Sequence, residues 1–195
     1  MSYAAAAKNV MLDALAAVQT YLGLLSKNLT LTGVTGTAAT DLLTKASHGL
    51  SNGDLVTLAG LTGGAGLLNA TPYFVVGVSG NDFQLSHTSG GAAIDFTTNI
   101  TDVTVKRFVE ISGGSPAYAR KAVAYAAAAA GVADDTTNGA VFDVPASTVS
   151  AVGGYSASTG GTLYDLDDTI TEEVFASQGT YTVSDSKLNL NYPLA

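Results

Sequence analysis

Apolar residues recur at helical spacing near the start of the chain, where Met11, Leu15, Val18, Leu22 and Leu25 follow one another at intervals of four and three. Side chains so spaced line one face of a helix, and Leu12 and Leu24 widen it. With Ala, Leu, Met and Gln dominant and no Pro intervening, the pattern predicts a helix over 3–26. After Asn28 the period changes. Thr, Gly and Leu alternate to about Phe108, a strand-like pattern. Its clearest local signal is Tyr73-Phe-Val-Val-Gly-Val78, a turn at Ser79-Gly-Asn-Asp82, then Phe83-Gln-Leu-Ser86, in which apolar and polar residues alternate. This reads as a hairpin. Upstream, the turn cluster 48–54 feeds a strand over 55–58, and 100–109 supplies a closing strand. Further short strands are predicted at 140–144, 149–155, 162–164, 170–176 and 181–190, punctuated by Pro145, Gly160, Gly161 and Gly179. Short strands at this spacing indicate an antiparallel sandwich.

Composition narrows the function. Of 195 residues only 12% are charged, 22 are Gly and none is Trp, so the surface is built from Ser, Thr, Asn and Gly. The net charge of −8 makes the electrostatic term of phosphate binding repulsive, which argues against nucleic acid as a partner. The absence of Cys removes a disulfide framework, thiolate metal sites and a Cys nucleophile together. No uninterrupted apolar run reaches the ~20 residues needed to cross a bilayer, so no membrane partner is expected. The Ala- and Leu-rich start lacks the basic region of a signal peptide, and Lys8 and Asp13 interrupt its apolar run.

Candidate chemistry is sparse. The run Gly60-Leu-Thr-Gly-Gly-Ala-Gly66 lacks the Lys-Ser/Thr pair of a P-loop and reads as a loop. His48 and His87, the two histidines, sit in no metal-ligand spacing, and no Gly-x-Ser-x-Gly elbow occurs. Asp165, Asp167 and Asp168, with Glu172 and Glu173 nearby, form the best carboxylate cluster and offer hard oxygen ligands for Ca²⁺. They lack the full ligand loop of an EF-hand, and such clusters in acidic proteins are commonly a solvated rim. The members of the pairs Lys106-Arg107 and Arg120-Lys121 would point to opposite faces of a strand, leaving one member of each to face a partner's carboxylate. The residues thus give no catalytic group and no cofactor.

Four phrases carry a resemblance. Gly113-Gly-Ser-Pro-Ala-Tyr-Ala-Arg-Lys-Ala122, Phe142-Asp-Val-Pro-Ala146, Gly160-Gly161 and Gln178-Gly-Thr-Tyr-Thr182 occur in the order found in a family of tailed-bacteriophage virion proteins, which this chain resembles over 112–191. The opening Met1-Ser-Tyr-Ala-Ala-Ala-Ala-Lys-Asn9 is also similar to the family's start. The resemblance implies a strand at 118–125 and a loop through 131–139, against the helix propensity of Ala126–Ala130. A second resemblance, through His48-Gly-Leu-Ser-Asn-Gly-Asp54, Tyr73-Phe-Val-Val76 and Phe83-Gln-Leu-Ser86, is to a small β-barrel module inserted in phage proteins. That module is related to the first catalytic-cysteine half-domain of ubiquitin-activating enzymes, and it implies fold without activity.

Together these readings give a mainly β protein: an antiparallel β-sandwich preceded by an N-terminal α-helix, with an inserted small β-barrel lobe. The helix occupies 1–29 as part of the main domain, the lobe 30–107 and the sandwich 108–195. The function implied is a non-catalytic structural protein on the surface of a tailed-phage virion, a capsid decoration or minor tail protein. It would be made in the host cytoplasm and released by lysis. The expected partners are the major capsid protein or tail proteins and further copies of the chain, docked through Met11, Leu15, Val18, Leu22 and Leu25. The alternative is a receptor-binding module of the tail that holds a host-surface glycan.

Overall fold

A computed structural model describes residues 5–137, 139–184 and 190–191. These residues are mainly β, with one N-terminal helix and predominantly antiparallel strand pairing. They divide into two compact units, Ser26–Val109 with Leu166–Thr169, and the remainder of the chain. The first includes the predicted lobe, 30–107, and adds a short segment from beyond it.

In that unit, β1 (Tyr21–Thr37) contributes its second half beside β2 (Leu42–Thr44), β3 (Leu55–Thr62), β4 (Tyr73–Ser79), β5 (Asp82–Ser86) and β6 (Ile100–Glu110). The strands follow the order β1-β2-β5-β4-β3-β6, and β1 also pairs with β6. That last pairing closes the sheet into a small barrel, which leaves no open edge along the ring. Alternate residues point inward and fill it: Val34, Leu43, Val56, Leu58, Tyr73, Val75, Phe83, Leu85, Val103 and Val105 form one buried cluster with Phe96. The hairpin read from sequence is β4 and β5, with a register shift between Val76 and Ser79. The shift is accommodated at Gly77, whose φ of 61° suits a residue without a side chain.

The second unit carries the helix α1, Ala5–Val18. The helix stops well short of the predicted end at 26. Leu22 and Leu25 are not on it: they lie on β1, whose first residues, Tyr21–Leu25, pair with β11 (Ala151–Tyr155). Leu22, Leu24 and Leu25 are all but fully buried there. Their spacing fits a helix, but the position of Gly23 does not. A Cβ at Gly23 would stand 2.8 Å from the Tyr155 ring and 3.2 Å from the Tyr118 hydroxyl, so the strand backbone is pressed against these two side chains. Burial between two layers outweighs the local propensity.

Short strand pairs complete this unit. β7 (Lys121–Ala122) pairs with β1, β9 (Ala140–Val144) with β14 (Gly179–Val183), β10 (Ser147–Val149) with β13 (Glu173–Phe175), and β8 (Val132–Ala133) with β15 (Leu190–Asn191). β12 (Leu163–Asp167) lies beside β11. The predicted strand over 118–125 is reduced to β7 and a bridge between Tyr125 and Asp135. Ala126–Ala130 form no helix; Ala129 and Val132 exchange backbone hydrogen bonds around a turn at Ala130 and Gly131. Five alanines bury too little apolar surface to hold an isolated helical turn. Of the strand predicted over 181–190, residues 185–189 lie outside those described. The core here gathers Leu22, Leu24, Ile111, Val123, Phe142, Val144, Val149 and Val183.

Candidate functional site

The helix α1 is mostly apolar, with Lys8, Asn9 and Asp13 its polar residues, and one side of it is packed. On the inner side Leu12 is buried against Ala133, with Leu15, Ala16, Tyr125 and Ala128 packed around them. Two of its polar residues hold the neighbouring turn. The Asn9 side-chain oxygen accepts the Gly131 N–H at 3.0 Å, and the Asp13 carboxylate accepts the Ala128 N–H at 2.7 Å. At the helix end the Gln19 N–H donates to the Leu15 carbonyl, and the Gln19 side chain donates to the Tyr125 hydroxyl. The outer side carries Val10, Met11 and Val18, which are 67%, 40% and 39% exposed. These exposed apolar side chains make the outer side of α1 a candidate docking surface.

The predicted docking stripe is therefore divided. Met11 and Val18 face outward, Leu15 packs inward, and Leu22 and Leu25 belong to the strand core. Val10, the most exposed of the helical apolar residues, was absent from the stripe because it falls outside the four-three spacing.

The carboxylates of 165–168 do not converge on a common point. Asp167 accepts from the Thr169 N–H at 2.9 Å and the Thr169 hydroxyl at 2.6 Å, a local turn. Asp168, with a side chain only 5% exposed, accepts from the Thr57 hydroxyl at 2.9 Å and the Lys106 ammonium at 3.1 Å, which ties the 166–169 segment to β3 and β6. Among the described residues no group of three or more His, Asp or Glu side chains is placed to hold a metal ion. His48 and His87 are likewise apart in role: His48 is buried on Phe83 and its Nδ1 accepts the Leu50 N–H, while His87 lies against Tyr73. The glycine run 60–66 uses its amides on its own lobe, Gly64 donating to the Thr98 carbonyl and Ala65 to the Thr98 hydroxyl.

Three of the four paired basic residues, Lys106, Arg107 and Arg120, make polar contacts within the protein. Arg107 donates to Asn28, Gly49 and Asp54. Arg120 forms a two-pronged pair with Glu110, both contacts 2.7 Å, and donates to the carbonyls of Ala157 and Gly160, with its guanidinium 3.5 Å above the Tyr155 ring. Tyr118 joins this cluster, accepting the Leu24 N–H at 2.7 Å and donating to Glu110. Burial pushes the phenols of Tyr118 and Tyr155 well above the ordinary tyrosine range, aided by the Glu110 charge. Burial would lower Arg120, but its hydrogen bonds and ion pair with Glu110 outweigh that and raise it. The spacing Tyr118-x-Arg120 put these two side chains on one face in sequence, whereas nothing in the sequence announced Glu110 as their partner. Arg120, Glu110 and the Tyr118 hydroxyl are hydrogen-bonded together, and Arg120 thereby clamps the loop after β11.

An open groove of about 290 Å³ on the barrel unit is lined by Asn52, Val76, Ser89 and four glycines. It presents neither a charged side chain nor an aromatic ring on which a sugar would stack. No helix among the described residues is long and apolar enough to cross a membrane. No family model, no curated protein and no solved structure matches this chain.

Proposed function

We propose that the chain is a non-catalytic structural component of a tailed-phage virion, displayed on the particle surface as a capsid decoration or minor tail protein. The reading rests on the four ordered phrases between 113 and 182, and the observation in the fold that supports it is the uncovered apolar face of α1. An assembly component needs a neutral surface to bury against neighbouring subunits and no reactive centre. The described arginines are bound within the protein, and Asp168 is held by Thr57 and Lys106. The partners proposed are the major capsid protein or tail proteins, and the site of action is the outside of the particle. The test is to tag the chain in a phage that encodes it and locate the tag on purified particles by electron microscopy. Regular label on head or tail surface supports the proposal, and particles that lack the chain altogether overturn it.

A further inference from the structure

We infer that residues 166–169 are a strap fastened across the outside of the barrel, over β3 and β6, with Asp168 as its fastening. The continuous stretch of the barrel unit ends at Val109, yet Leu166–Thr169 belong to the same compact unit.

Thr57 shows where the strap lies. Its strand neighbours Val56 and Leu58 sit in the interior cluster, so Thr57 points outward, and so does Lys106, which faces it in register across the β3–β6 ladder. An outward side chain on a small barrel is ordinarily open to water, but Thr57 is fully buried. The group that meets it there is Asp168, whose Oδ2 accepts from the Thr57 hydroxyl at 2.9 Å and from the Lys106 ammonium at 3.1 Å. Leu166 is buried as well. Just past the fastening the chain turns away: Asp167 accepts from the N–H and hydroxyl of Thr169, and residues 171–174 are exposed.

A carboxylate held by donors on two strands at once pins their ladder from outside. Without it, the Thr57 hydroxyl and the Lys106 ammonium would stand side by side with no acceptor between them. The stretch 26–109 is therefore not self-sufficient, because a segment from much later in the chain completes its outer face. Lifting the strap loosens the β3–β6 ladder while the interior cluster stays packed, a local opening rather than a global one. It also bares a hydroxyl and an ammonium disposed to receive a carboxylate, a place that the chain's own Asp168 fills in the closed state. This inference does not draw on the virion proposal and is tested on the purified full chain.

In Asp168→Ala the amides of the β3–β6 ladder should exchange with solvent about tenfold faster or more, while those between β4 and β5 keep their protection. Lys106 should become several-fold more reactive toward an amine-acylating reagent, with Lys121 in the other unit as the unchanged reference. Asp168→Asn keeps the shape and an acceptor for Thr57 but not the charge, so it should show the same local pattern to a smaller extent, and it carries the comparison by itself if the alanine variant does not fold. Unchanged exchange at the β3–β6 ladder, faster exchange spread evenly over all the barrel strands, or a Lys106 no more reactive than in the unmodified chain would each overturn the inference.

Discussion

The barrel unit and the helix-bearing unit solve the same problem in opposite ways. The first closes a sheet of short strands on itself, so strand edges pair with one another and a single cluster of Tyr73, Phe83, Phe96 and aliphatic residues fills the interior. The second combines a helix, three two-stranded pieces and one end of the larger sheet, where β1 pairs with β7 and β11 and β11 with β12. Its core is divided, with Leu12 and Ala133 forming a small cluster apart from that around Phe142. Polar ties stand in for packing: the Arg120–Glu110 pair, the Tyr118 hydroxyl on Leu24, and Asp135, which accepts from the Thr137 and Gly139 N–H groups. A unit built this way retains exposed apolar residues on its helix, Val10, Met11 and Val18, and it is there that we propose docking.

The largest effects should come from removing the aromatic centre of each core. Phe83→Ala and Phe142→Ala, both at fully buried positions, should each cost about 3–5 kcal/mol. Hydrogen exchange would show protection lost first in the barrel strands for F83A and in β9 and β14 for F142A. Uniform loss over the whole chain in both variants would break the distinction between the units.

Arg120→Ala should be next, at about 2–3 kcal/mol by denaturant titration, because it strands Glu110 and frees two carbonyls of the following loop. The figure stays below that of a fully buried pair because the Glu110 side chain is 31% exposed. Arg120→Lys keeps the charge but neither the fork nor the flat stack on Tyr155, and should recover less than half of the loss. A neutral R120A would mean that the clamp is decorative.

A smaller effect is expected from pH. Burial alone would raise the Asp135 carboxyl, but the hydrogen bonds from Thr137 and Gly139 prevail and hold it below the ordinary aspartate value. Its contribution is present above about pH 4, the unfolded value, and is lost as pH falls through the lower folded value. Tyr118 and Tyr155 act at the other extreme. With folded values raised, their contribution is complete below about pH 10 and declines as pH climbs beyond it. Melting followed by tyrosine absorbance should thus narrow from both ends, and alkaline ionisation of all tyrosines near their ordinary value without loss of structure would contradict the buried clamp.

What was legible in the sequence was local. The hairpin of β4 and β5 announced itself because alternation of period two needs only a few residues and a turn. The end of α1 was not legible, since Leu22 and Leu25 satisfy a helical spacing and a buried strand equally well, and the deciding contacts come from Tyr155 and Tyr118, more than ninety residues away. The carboxylates at 165–168 were visible as a cluster, but their use was not. Asp168 is claimed by Thr57 and Lys106 from the barrel unit, and adjacency in sequence says nothing of that. The docking stripe meets the same limit: two of its five members, Leu22 and Leu25, lie on β1, and the exposure of Val10, unlike periodicity, is a property of the fold.

The central claim is that the outer face of α1 is covered when the protein is at work on a particle. The direct measurement is the rate at which a maleimide reagent modifies Val10→Cys in dilute purified protein and in intact virions carrying the same variant. Rapid modification in solution and at least tenfold slower modification on the particle is the result predicted, with Ser89→Cys reacting equally fast in both. Equal reactivity of Val10→Cys in the two settings would show the face still open to solvent on the assembled particle and contradict the account.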